Sequence, residues 1–267
     1  MSRRSLVDKD ISGVLEGWEY DPRRVTARWI QGHDGRPKVQ LRLDLGLFQM
    51  AAEGRPDGTT PHGFDSLLEF YRDLEESLPG SHPALTLNDE ACNDLQQEAV
   101  QYYCRYIAFY AVGYLDGVIR DTQHNLDIMS LIERRAADAE TAWQILQFYP
   151  SVRMMNARAA AEKAEADGDI RRGVSHLEEA VRDIQQFWAT YGDEDAVESE
   201  PDEIVILGEL LERLRGKLPV SPIQMLQSSL DRALREEDYE QAAVIRDRIR
   251  RLQEGGSLVD EGGEGSR

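Results

Sequence analysis

The chain has 267 residues, with 50 acidic and 31 basic side chains and a formal net charge of −19. A surface of that sign repels phosphate backbones and anionic membranes, so direct nucleic-acid binding is disfavoured. Two cysteines argue against a disulfide scaffold, and no apolar run reaches the ~18 residues of a membrane span.

The first ten residues, MSRRSLVDKD, lack the apolar stretch of a signal peptide, so a cytoplasmic location is expected. Residues 11 to 50 are expected to be β-structure. Val25, Ala27 and Trp29 alternate with Thr26, Arg28 and Ile30, and Gly32-His33-Asp34-Gly35 supplies a turn. Val39, Leu41, Leu43, Leu45 and Leu47 then alternate with Gln40, Arg42 and Asp44. Gly13 to Trp18 is expected as a further strand. Gly54-Arg55-Pro56-Asp57-Gly58 is a turn signal, followed by a helix opening at Ser66 with Glu69 three residues on. That helix is expected to cover one face of the sheet, which gives an N-terminal β/α module over residues 1–76.

Residues 77–87, with Pro79, Gly80 and Pro83, have the composition of a linker. Asn88 is placed to cap a long helix, with Asp89 and Glu90 favouring its N-terminal dipole. The helical pattern then runs over residues 88–191. Two stretches within it resemble tetratricopeptide helix pairs: Tyr106–Asp116, turned at Gly113, and Ala166–Gly173, followed by Leu177 and Ala180. The resemblance implies a repeat-like helical domain. Pro150 divides the helix that carries Trp143, Ile145, Leu146 and Phe148 from the next. The aromatics Tyr102, Tyr103, Tyr106, Phe109 and Tyr110 suit either helix packing or a concave peptide groove. Residues 192–203 are acidic and poor in apolar side chains, as in an exposed linker, and the Gly- and Glu-rich tail 255–267 is expected to be disordered.

Chemistry-bearing residues are scattered. The five histidines, at 33, 62, 82, 124 and 176, fall in no metal-ligand spacing. Asp121 and His124 share a helix face but have no further ligands in sequence. Cys92 and Cys104 lie about 18 Å apart along one helix, at ~1.5 Å per residue. Gly216-Lys217 lacks the earlier glycine and the Ser or Thr of a phosphate loop. No cofactor and no metal is expected, and no catalytic constellation emerges. A polar cleft holding His62 with Asp57 or Asp65 is what an enzyme reading would require.

Residues 204–254 hold an amphipathic helix (Ile204, Leu207, Leu210, Leu211, Leu214) and then two short ones. Ser221, Pro222 and Gln224 open the first of the pair, with Ile223, Leu226, Leu230 and Ala233 at helical spacing. Asp238 caps the second, whose apolar stripe is Tyr239, Ala242, Ile245, Ile249 and Leu252. The order Leu226, Leu230, Ala233, Tyr239, Glu240, Ala242, Ala243, Arg246, Asp247, Ile249, Leu252 resembles the UVR motif of the bacterial excision-repair proteins UvrB and UvrC. Tyr239 stands where that family usually has Phe, and Leu234 replaces a common Ala.

The resemblance implies a bacterial protein with a protein-docking hairpin, and it covers only this C-terminal part. The implied contact residues are Leu226, Leu230, Tyr239, Ala242, Ala243, Ile245, Arg246, Asp247, Ile249 and Leu252. The implied partner is another UVR-bearing protein (UvrB, UvrC, or a Clp-type or kinase system) or a second copy. The fold class expected is α+β, mostly α: a small N-terminal antiparallel sheet with a covering helix, a tetratricopeptide-like domain, and a C-terminal hairpin. The function expected is a non-enzymatic adaptor. An accessory of nucleotide excision repair and an enzyme with a site in the N-terminal module are the alternatives.

Overall fold

The computed structural model describes residues 10–80, 82–192, 201–218 and 222–256. The fold class is as expected: mostly α-helical, with one small antiparallel sheet. The chain divides into two compact units, residues 1–216 and residues 217–267.

The first unit opens with a short helix, α1 (Ser12–Leu15), where a strand was expected. Gly17, at φ 71, turns the chain two residues later. Strands β1 (Ala27–Gln31), β2 (Pro37–Leu43) and β3 (Gly46–Ala51) form a meander in the order β1-β2-β3. Trp29 pairs with Val39, and Val39 with Met50. The alternation from Val39 to Leu47 is therefore two strands, not one. Asp44 and Leu45 form the tight turn between them, and Leu45 is 92% exposed at its tip.

Helix α2 (Leu67–Ser77) starts where the capping spacing placed it, with the Ser66 hydroxyl accepting from the Glu69 N–H. It does not cover the sheet. Leu67 and Leu68 pack with Leu87, Leu95, Ile128 and Ile132 instead. The sheet is covered by α3 (Asp89–Ala111) and α4 (Leu115–Arg135), which bring Tyr106, Phe109 and Val118 against Val39, Leu41 and Met50. Length explains the exchange: at ~1.5 Å per residue α3 spans more than 30 Å, enough to serve both cores. The stretch 77–87 is likewise not a free linker. Leu85 and Leu87 are buried, and Leu87 exchanges backbone hydrogen bonds with Arg135 and Ala137.

After α5 (Ala139–Leu146), α6 (Tyr149–Ala166) begins with Pro150 in its first turn, where a missing N–H costs nothing. Helix α7 (Ile170–Tyr191) returns along it. The α3–α4 and α6–α7 connections are the same device. Gly113 and Gly168 sit at φ 74 and 81, and the following N–H groups, of Tyr114 and Asp169, reach back to Phe109 and Ala164 carbonyls. This is a Schellman turn, whose left-handed position strains any side chain with a Cβ.

Helix α8 (Asp202–Arg215) packs on α6 and α7, with Ile204, Leu207, Leu211 and Leu214 buried. It belongs to the first unit and not with the C-terminal hairpin. Most of the acidic stretch 192–203 lies outside the described residues. The second unit contains α9 (Pro222–Arg235) and α10 (Tyr239–Gly256). The Ser221 cap and most of the 255–267 tail also fall outside the described residues.

Candidate functional site

Helices α9 and α10 are joined by three residues, Glu236–Asp238. The turn is again a Schellman motif: Asp238 N–H donates to the Ala233 carbonyl at 2.9 Å and Glu237 N–H to Leu234 at 3.2 Å. Here the left-handed position is Glu237, at φ 57. Asp238 then caps α10, its carboxylate accepting from the Gln241 N–H at 3.0 Å.

The inner faces of the two helices form a small core. Ala233, Ala242, Ile245 and Ile249 are buried in it, with Leu226 and Leu230 packed around them. Small residues at 233 and 242 let the backbones approach, which is why the alanines sit at those positions. The apolar stripe predicted from sequence is thus split. Its centre is spent on the hairpin itself, while Tyr239 and Leu252 at its ends are 67% and 43% exposed.

The outer surface carries a different row. Tyr239, Ala243, Arg246 and Arg250 recur at spacings of four, three and four, so they share one face of α10. All four are exposed, and so is Val244, on a different face of α10. Arg248 and Arg251 are exposed too, and Asp247 is held by Arg250 at 3.0 Å. The acidic cluster Glu236-Glu237-Asp238-Glu240 lies at the turn, so the hairpin is acidic there and basic along the rest of α10. Of the predicted contact residues, Tyr239, Ala243, Arg246 and Leu252 face solvent. Ala242, Ile245 and Ile249 do not.

The model of the UvrB/uvrC motif matches residues 223–255. The match covers both helices of the UVR hairpin and their turn, and nothing in the first unit. No curated protein and no solved structure matches the chain.

The buried polar residues of the first unit concentrate on α3 and α4, and sequence reasoning missed the principal ones, Glu98 and Arg105. Arg105 is fully buried and binds Asp121 of α4 in a fork, Nε to Oδ2 at 2.6 Å and Nη2 to Oδ1 at 2.8 Å. Its Nη1 donates to the carbonyls of Ala51 and Gly54 at 2.9 and 2.7 Å. Arg120 reaches the Ala52 carbonyl and the same Asp121. Glu98, one helical stretch earlier and also fully buried, accepts from Arg55 Nε at 3.0 Å and from the Leu67 and Leu68 N–H groups at 2.8 and 3.2 Å. It also bonds His124 Nε2 at 3.1 Å, and the His124 ring stacks on Tyr102.

The two clusters tie the loop after β3 and the start of α2 to the helices. Burial pushes the Glu98 carboxyl up, but the bonds from His124, Leu67 and Leu68 outweigh it and hold the group below the usual carboxylate range. Asp121 and His124 share a helix but serve different partners, so they do not form a joint site. A signal for these residues was present: Glu98 and Arg105 fall on the stripe Leu95, Ala99, Tyr102, Tyr106, Phe109, where charge is out of place unless paired.

Of the aromatic cluster, Tyr102, Tyr106 and Phe109 are buried in that packing and Tyr110 is half-buried, whereas Tyr103 is 50% exposed. A cleft of about 650 Å³ lies beside the loop and is lined by Asp57 and Asp65. His62 is not among its lining residues and stacks on Phe70, with ring centroids 4.3 Å apart. Cys92 and Cys104 are both free thiols. Among the described residues no three metal-ligating side chains converge, and no helix is long and apolar enough to cross a membrane.

Proposed function

We propose that this chain is a non-enzymatic adaptor that docks to another UVR-bearing protein through the outer face of α10. The observation that carries this reading is the division of labour in the hairpin. Its aliphatic stripe closes its own core, and an aromatic, small and basic row is left open beside it. A short hairpin with so small a core is marginal alone, and covering its open face stabilises it.

Tyr239 serves as the anchor, Ala243 permits close approach, and Arg246 and Arg250 set pairing by charge. The partners that fit are UvrB, UvrC, or a Clp-type or kinase system of a bacterial cell. The net charge of −19 favours a protein partner over nucleic acid. The Schellman-turned pairs α3–α4 and α6–α7 support a tetratricopeptide-like scaffold role for the first unit. The engagement of Glu98, Arg105, Asp121 and His124 in fixing loops supports a scaffold over a catalyst.

The test is affinity capture with full-length protein, with a chain ending at Gly216, and with Ala243→Glu. Partners identified by mass spectrometry that are lost in both variants support the reading. Partners retained by both would place docking elsewhere. Purified UvrB and UvrC, added separately to the full-length protein, distinguish a repair accessory from the other partner classes.

A further inference from the structure

A second hollow of the first unit is unrelated to the hairpin. It is a trough of about 930 Å³, floored by Tyr149, Arg153, Asn156 and Ala160 of α6 and walled by α4 and α7. Along α7 its lining runs from His176 to Tyr191, about 22 Å at 1.5 Å per residue.

One end is aromatic. Tyr149 and Tyr191 flank Phe187, with centroid separations of 5.2 and 5.0 Å, and Trp143 stacks on Phe187 from outside. The rest is anionic. The walls carry Asp127, Glu133, Glu179 and Asp183, against two guanidiniums, Arg120 and Arg153. Both guanidiniums are already committed: Arg153 to Asp183 at 2.7 Å and Glu179 at 3.8 Å, and Arg120 to Glu53 and Asp121. Asp127 is in turn paired with Arg72 at 2.7 Å and Asp183 with Arg153, so the carboxylate surplus rests on Glu133, which accepts from the Tyr191 hydroxyl at 2.6 Å, and on the loosely held Glu179, and neither a nucleic acid nor an anionic lipid suits it.

We infer that this trough is a docking groove for a cationic segment of another polypeptide, one that presents an aromatic or aliphatic anchor followed by arginines or lysines. The charge surplus selects the cation, and the aromatic end supplies the desolvated pocket that gives such a contact its affinity. The length matches about four turns of helix. The inference does not depend on the hairpin reading, because the trough lies wholly within the first unit.

The experiment uses the full-length protein and a phage-displayed library of random peptides about 16 residues long, panned at ~0.15 M salt. Enriched peptides are synthesised with a fluorophore and titrated by anisotropy. The sequences recovered are expected to be rich in Arg and Lys with one Trp, Phe or Leu near an end. Glu133→Lys/Glu179→Lys, on exposed positions of opposite walls, is expected to weaken them at least about tenfold. Ala160→Trp, which fills the floor without changing charge, is expected to do the same.

Glu209→Lys/Glu212→Lys makes the same charge change on α8, away from the trough, and is expected to leave affinity within about twofold. Thermal unfolding of each variant confirms that it is folded. No enriched sequence, enrichment without cationic bias, equal loss in the α8 control, or binding that survives Ala160→Trp overturns the assignment.

Discussion

The α6–α7 turn and the α9–α10 turn have the same backbone and different residues at its critical point. Gly168 occupies the left-handed position in the first and Glu237 in the second. A side chain with a Cβ there costs roughly 1–2 kcal/mol. Packing repeats the contrast. Helix α7 buries Val174, Leu177, Ala180, Ile184 and Phe187, whereas among the described residues of the hairpin the buried core side chains are Ala233, Ala242, Ile245 and Ile249. The first unit is secured by buried apolar area and by fully paired buried charge. The hairpin is held by little and keeps its polar and aromatic groups outside. The two units are therefore held together differently, and substitutions in them should fail in different ways.

The sharpest break is Arg105→Met. It leaves Asp121 buried without its fork partner and the carbonyls of Ala51 and Gly54 short of a donor, an expected cost of about 3–5 kcal/mol. Urea unfolding of the first unit measures it. Arg105→Met combined with Asp121→Leu should recover a large part of the loss, since the uncompensated charge is then gone.

Ile249→Ala comes next, at about 2–4 kcal/mol, and should unfold the hairpin alone. Loss of hairpin amide protection in hydrogen exchange, with α3 and α4 unchanged, is the expected pattern. Simultaneous loss in both units would remove the distinction drawn above.

Glu98 gives a pH-dependent test. Its folded-state pKa lies below its unfolded value, so it contributes stability above the unfolded pKa, and that stability is lost as pH falls through the folded pKa. Acid titration of unfolding free energy should show this decline, and Glu98→Gln, at a cost of about 1–3 kcal/mol near neutrality, should flatten it.

Two smaller effects refine the comparison at the turns and the outer face. Glu237→Gly should stabilise the hairpin by roughly 1 kcal/mol by relieving the left-handed position, the reverse of Gly168→Ala in the first unit. Thermal melts of full-length variants, followed by exchange in each unit, separate the two. Ala243→Glu should change stability by less than about 0.5 kcal/mol and still abolish partner capture. A large loss of helicity in that variant would mean that Ala243 supports the hairpin and does not meet a partner.

Local and short-range features were legible in the chain itself. The caps at Ser66, Asn88 and Asp238, the turns at Gly54, Gly113 and Gly168, and the helical pair of the UVR motif each depend on residues within one or two turns of one another. Period and capping chemistry determine such elements without reference to the rest of the fold. What the tertiary structure alone decided was which faces meet. Leu45 continues an alternating pattern and yet sits at a turn, because register and the sheet's partner lie elsewhere in the sequence. Helix α2 has a buried face that suits either the sheet or α3, and α3 takes both. Glu98 and Arg105 gain their meaning from Arg55, Leu67 and Asp121, up to 43 positions away. The row Tyr239, Ala243, Arg246 and Arg250 becomes a surface only because Ala242, Ile245 and Ile249 are claimed by α9. Burial is a property of pairs of surfaces, and a sequence states only one of each pair.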